Sequence, residues 1–157
     1  MGEAPVSILA QRRIEAAFAK GIYEEMAASI GAEAARGIMT RAIVKLAEET
    51  GAAMAKGAET GVAHFASLME LWRKDDALAM DITRQDATHF DFNVTRCRYA
   101  ETYRDMGLGE LGAVLSCNRD GAFCGGYDKR LKLTRTQTIM GGASHCDFRY
   151  VWDEAAG

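Results

Sequence analysis

The chain has 157 residues, 48% of them hydrophobic and 26% charged, with a net charge of -3. That length supports one domain, 1–157, with an ordinary core, and the slightly acidic balance gives no electrostatic reason to expect nucleic acid or an anionic membrane surface as a partner. No stretch approaches the ~20 apolar residues that span a bilayer, and Glu3 stands where a signal peptide carries positive charge, so the expected compartment is the cytoplasm and Cys97, Cys117, Cys124 and Cys146 are expected as free thiols.

Residues 1–74 are helical in pattern and form the expected scaffold. Ile14, Phe18, Ile22, Met26 and Ile30 make a stripe along one side of a first helix, suited to a core or to a subunit contact in a homo-oligomer, and Gly31 supplies its stop. Ala35, Ile38, Ala42, Ile43 and Leu46 mark a second helix, expected to end at Thr50-Gly51, although the alanine-rich stretch 52–61 is able to extend either neighbouring helix. Val62, Phe65, Leu68, Met69 and Trp72 mark a third, with Thr60 as candidate N-cap.

After Arg73-Lys74-Asp75-Asp76 the period changes from helical to alternating. Leu78, Met80 and Ile82, then Phe90, Phe92 and Val94, predict two strands joined by a polar turn at Arg84 to Ala87. Tyr99, Tyr103 and Met106 return to helical spacing, closed by Gly107, and Leu108, Leu111 and Leu115 mark one more short helix. Cys124 to Tyr127 reads as a loop. Leu131 to Trp152 then predicts a second hairpin around Gly141-Gly142, with Leu131, Leu133, Arg135, Gln137 and Ile139 on one face of its first strand and Cys146, Phe148, Tyr150 and Trp152 on one face of its second. The expected fold is α+β: an N-terminal helical layer packed on a roughly four-stranded antiparallel sheet with short inserted helices, the half from 77 to 152 carrying the site.

Polar side chains stand where a plain strand would carry valines, so the Arg135, Gln137 strand is expected to line a pocket. Two cysteine-centred clusters carry potential chemistry. Cys117 to Asp120 sets a thiol beside an arginine and a carboxylate, an arrangement able to favour a thiolate or hold a cationic substrate. In His145-Cys146-Asp147, neighbours on a strand point to opposite faces, so His145 and Cys146 share a pocket only if His145 belongs to the turn. A zinc site from Cys117, His145 and Cys146 lacks the short ligand spacing of structural zinc. The expected reading is cofactor-independent, with zinc as the lesser option.

Three blocks carry a family resemblance: FNVTRCRYAETYRDMGLGELG (92–112), LSCNRD (115–120) and LTRTQTIMGGASHCDFRY (133–150). Together they resemble the L-2-amino-thiazoline-4-carboxylic acid hydrolase family, and more remotely the region is similar to vinyl-reductase-like ligand-binding domains. The resemblance implies hydrolytic opening of a small cyclic amidine or amide, giving a carbamoyl-cysteine from the thiazoline. Mapped onto this chain, Cys117 becomes the candidate nucleophile and Asp120 the general acid/base or amidine partner. Cys146 and His145 complete the catalytic set. Arg135 or Arg96 would bind the substrate carboxylate, with Gln137 and Asn118 as further substrate-binding candidates. The alternative is a non-catalytic module whose pocket binds or senses a small molecule.

Overall fold

The computed structural model describes residues 4–157 of the chain. Helix α1 (Ile8–Ile30) starts at Ser7, whose Oγ accepts the Ala10 N–H, and stops at Gly31, which has a φ of 90° open to glycine at no steric cost. Helix α2 (Ala32–Ala55) returns alongside, and α3 (Val62–Arg73) follows. Strands β1 (Leu78–Gln85) and β2 (His89–Cys97) form the first hairpin. Next come α4 (Arg98–Asp105), the short α5 (Gly109–Gly112), a π turn (Ala113–Cys117) and α6 (Asn118–Tyr127). Strands β3 (Leu131–Thr134) and β4 (Cys146–Trp152) complete one antiparallel sheet in the order β1-β2-β4-β3. The α+β class expected from the sequence is the one observed.

One face of the sheet is the core. Phe90, Phe92 and Val94 of β2 pair in register with Tyr150, Phe148 and Cys146 of β4. Alternation sends all six side chains to the same side, where α3 lays Val62, Phe65 and Met69 over them and α6 adds Phe123, Cys124 and Tyr127. A second cluster holds the helices together through Met39, Ile43, Tyr99, Tyr103, Leu111 and Leu115, and Trp72, Leu78 and Cys97 touch both clusters.

Several boundaries differ from the sequence expectations, each for a physical reason. Most of the α1 stripe is not core, Met26 alone being half-buried against the helical cluster. Phe18 is 75% exposed, Ile14, Ile22 and Ile30 face solvent as well, and the helix is seated instead through Ala16, whose small side chain allows close approach. Helix α2 runs through Gly51 to Ala55, and 118–127 is a helix rather than a loop, because Gly51 and Gly126 let the two cross with backbones nearly in contact. Thr60 is not an N-cap: its hydroxyl donates to Asp128 Oδ2 at 2.7 Å, while Gly61 begins α3 with no side-chain cap.

The second hairpin is shorter than the alternation implies. Strand β3 ends at Thr134 because the Asp147 carboxylate accepts the backbone N–H groups of Thr136 and Gln137, both at 2.9 Å, which a sheet partner would otherwise take. The chain from Arg135 to Ser144 is thereby freed to leave the sheet, with turns rather than strand around Gly141-Gly142. Burial works against the Asp147 carboxylate, yet the hydrogen bonds from the Thr136 hydroxyl and the two amides outweigh it and hold its pKa down at about 2. A carboxyl depressed in the fold stabilises above its unfolded value of 3.8 and loses that contribution as pH falls through about 2. The Gln137 amide resonance is therefore expected to titrate with a midpoint of about 2 in the folded protein; a midpoint at 3.8 would mean that the carboxylate does not hold this turn.

Candidate functional site

A cavity of about 90 Å³ lies between the core face of the sheet and the helices. Phe65, Met69 and Trp72 descend on it from α3, Phe92, Phe148 and Tyr150 rise from β2 and β4, and Phe123 closes it from α6. Pockets for drug-sized ligands run to roughly 300–1,000 Å³, so this one suits a single small ring. Its polar surface is sparse. Asp120 and Arg135 form an ion pair on its wall, and the Cys97, Cys117 and Cys146 thiols stand around them.

Local folding explains how these groups meet. The π turn at Ala113–Cys117 feeds without a break into α6, so Cys117 and Asp120 both come off a helical surface that faces the sheet. Arg135 arrives from the segment that Asp147 releases from the ladder. Its guanidinium donates to Asp120 Oδ2 and, at 3.1 Å, to the Cys117 carbonyl, and it lies over the Phe148 ring at 5.1 Å from the centroid. On β4, the Cys146 sulfur accepts the Ile139 N–H at 3.2 Å.

Electrostatics follow from burial. Burial pushes the Cys117 thiol up to about 12, with the neighbouring Asp120 charge adding to it against Arg135. Burial likewise takes Cys97 to about 11 and raises Cys146. Thiols with such values are protonated at neutral pH, so none is a ready thiolate. Burial also raises the Asp120 carboxyl, opposed by the charge and hydrogen bond of Arg135. Its side chain is 29% accessible and faces the cavity.

Four of the eight residues singled out from the sequence line this cavity: Cys117, Asp120, Arg135 and Cys146. The other four lie elsewhere. His145 sits against Ser144 Oγ at 2.9 Å and Gln137 Nε2 at 3.3 Å, a local cluster beside the turn and not on the pocket wall. Arg96 is spent on Glu101 at 2.8 Å on the surface, and Asn118 is exposed at the start of α6. Among the described residues no three His, Cys, Asp or Glu side chains are grouped so as to hold a metal ion, and the zinc set of Cys117, His145 and Cys146 is split by the placement of His145.

Sequence reasoning did not assign Tyr150 to the site. It is buried, lines the cavity, and its hydroxyl has no hydrogen-bond partner among the described residues, whereas Tyr99, also on the wall, donates to the Trp72 carbonyl at 3.0 Å. The signal was present in the alternation, which set Tyr150 on the same face as Cys146. Arg12 and Arg119 also reach the wall and were likewise unassigned.

Fold and cavity together define an α+β protein with a small, largely apolar pocket between helices and sheet, with an acid–guanidinium pair on its wall. The chain belongs to the L-2-amino-thiazoline-4-carboxylic acid hydrolase family, whose model matches residues 11–150. A search of curated proteins returned no match. Among solved structures the fold is similar to that of the phenol-responsive sensory domain of the transcription activator PoxR with phenol, at a TM-score of 0.52 and 18% identity over 97% of this chain and 79% of that one. The likeness at that identity is one of fold. No helix among the described residues is long and apolar enough to cross a membrane.

Proposed function

We propose that this protein hydrolyses a small ring containing an amidine or amide carbon, with Asp120 as the acid/base group. The observation that carries this is the Asp120–Arg135 ion pair on the wall of a largely apolar pocket, combined with membership of a family named for such a hydrolysis. As water attacks the ring carbon between sulfur and nitrogen, Asp120 takes one of its protons and passes it to the ring nitrogen. The tetrahedral centre then collapses. The carbon–sulfur bond breaks, the remaining hydroxyl proton goes to the departing sulfur, and the products are a thiol and a urea-type carbonyl in one chain. Arg135 steadies the carboxylate between these transfers, and the free Tyr150 hydroxyl offers a donor to the developing oxyanion.

This reading moves the chemistry from Cys117 to Asp120. Cysteine attack would require a thiolate that burial disfavours up to about pH 12. The expected result is that Cys117→Ala keeps turnover within about threefold and that the wild-type rate is flat between roughly pH 7 and 9. A thiolate mechanism would instead lose about 10²-fold or more in the variant and gain close to tenfold per pH unit.

A second reading is favoured by the small, largely apolar pocket and by the phenol that accompanies the similar sensory domain: the pocket binds a small aromatic or heterocyclic molecule and releases it unchanged. Mass spectrometry separates the two. Protein incubated with aminothiazoline carboxylate and a panel of cyclic amidines, lactams and hydantoins should yield one compound heavier by a water. A compound retained without change of mass, and no turnover of any other, would replace hydrolysis with binding.

A further inference from the structure

Arg12 of α1 and Arg119 of α6 meet where the cavity adjoins an open groove between α1, α2 and α3, and both line the two spaces. Their side chains are only 12% and 14% accessible. They share one carboxylate, Glu15, itself half exposed: Arg12 reaches both of its oxygens at 3.0 and 2.9 Å, and Arg119 reaches one at 3.3 Å. The Arg119 Nε donates to the Leu115 carbonyl at 2.7 Å. Among the described residues the remaining Arg12 nitrogens and the second terminal nitrogen of Arg119 have no acceptor.

Two largely covered guanidiniums against a single carboxylate leave an excess of positive charge with unused donors beside the cavity, and charge so placed is stabilised by a counter-ion. Arg135 is already committed, its two terminal nitrogens donating to Asp120 and to the Cys117 carbonyl. Burial, and then the facing Arg12 charge, lower the Arg119 pKa, while Glu15 opposes the effect.

We propose that Arg12 and Arg119 form an anion-receiving site at the mouth of the cavity, which selects small rings that carry a carboxylate and orients the ring toward Asp120. The site rests on the reading that the cavity takes a small ring, whether that ring is opened or only held. It assigns the carboxylate to a different pair from the Arg135 or Arg96 suggested by the sequence. Glu15 is then the internal stand-in for the ligand's charge, occupying the pair when no ligand is bound.

The test uses two rings that cannot be hydrolysed, thiazole-4-carboxylate and thiazole, titrated calorimetrically into the wild type. The carboxylate is expected to bind about tenfold or more tightly than the neutral ring. In Arg12→Gln that preference should vanish while thiazole binding is unchanged, and Arg119→Lys should retain part of it. Glu15→Gln should act in the opposite direction, raising carboxylate affinity several-fold with no effect on thiazole, a sign that partial misfolding cannot imitate. The proposal is overturned by equal affinity for the two rings, by wild type that does not bind the carboxylate, or by an Arg12→Gln variant that loses both rings in proportion. Because neither probe reacts, the absence of ring-opening on cyclic amidines would count against the hydrolase reading and leave this preference standing, and the reverse outcome would separate them equally well.

Discussion

Asp120→Asn is expected to lower turnover of the ring-opened compound by about 10²–10⁴-fold, with the protein still folded. The asparagine has nearly the same volume and still offers Arg135 an acceptor, and burial already disfavours the charged carboxylate, so removing that charge costs little of the fold. The stability loss should stay near 1–3 kcal/mol, against about 3–5 kcal/mol for Asp120→Ala, which leaves the guanidinium with only the Cys117 carbonyl. The chemistry suffers far more, because an amide cannot take the proton from water. The wild-type rate should also fall on the acid side, because a base acts only when ionised, and with the carboxyl raised by burial that limb lies above the ordinary value of 3.8. Single-turnover mass spectrometry on both variants, alongside their urea midpoints, gives the answer. A folded Asp120→Asn protein that turns over at the wild-type rate removes Asp120 from the chemistry.

What the sequence made legible was whatever depends on local period. The hairpin at 78–97, the helices ending at Gly31 and Gly107, and the core face of Cys146, Phe148, Tyr150 and Trp152 follow from spacing alone, since alternation and helical pitch are properties of neighbours in the chain. The half of the site on one short block, Cys117 and Asp120, was legible for the same reason. Arg135 was placed correctly in the cavity but for an incomplete reason: it reaches the wall because Asp147 interrupts the ladder, an effect set by a residue on another strand. The remainder depended on tertiary placement. A stripe as regular as Ile14, Phe18 and Ile22 does not tell which side of a helix the core will use, and here the alanine side won. His145 and Gln137 satisfy each other beside the turn. Arg12 lies more than a hundred residues from its partner Arg119, and nothing in either local sequence couples them.

The glycines of α6 show the same limit in energetic form, and they carry a large expected stability effect. Gly126→Ala is expected to destabilise the protein by about 3 kcal/mol or more, although helix propensity alone favours alanine over glycine by about 1 kcal/mol. The sign turns on the crossing with α2. A methyl group at Gly126 would run into the Glu48 carbonyl oxygen, with the carbonyl carbon at 2.6 Å and the Cα at 2.8 Å. A methyl on the facing Gly51 would meet the Phe123 carbonyl and, at 2.7 Å, the Tyr127 nitrogen. These are backbone atoms of two helices, so no side chain can swing aside and the helices must separate. Separation draws Phe123 and Tyr127 out of the core cluster and shifts Asp120 on the same helix, so turnover should fall with stability. Gly121→Ala is the matched comparison: on the same helix, a methyl there meets nothing within 4 Å, and the expected change is a gain of about 0.5–1 kcal/mol. Thermal unfolding should therefore place the Gly126→Ala midpoint roughly 6–12 °C below wild type and the Gly121→Ala midpoint slightly above it. If both variants rise together, α2 and α6 do not cross backbone to backbone, and the positioning of Asp120 by that crossing falls with it.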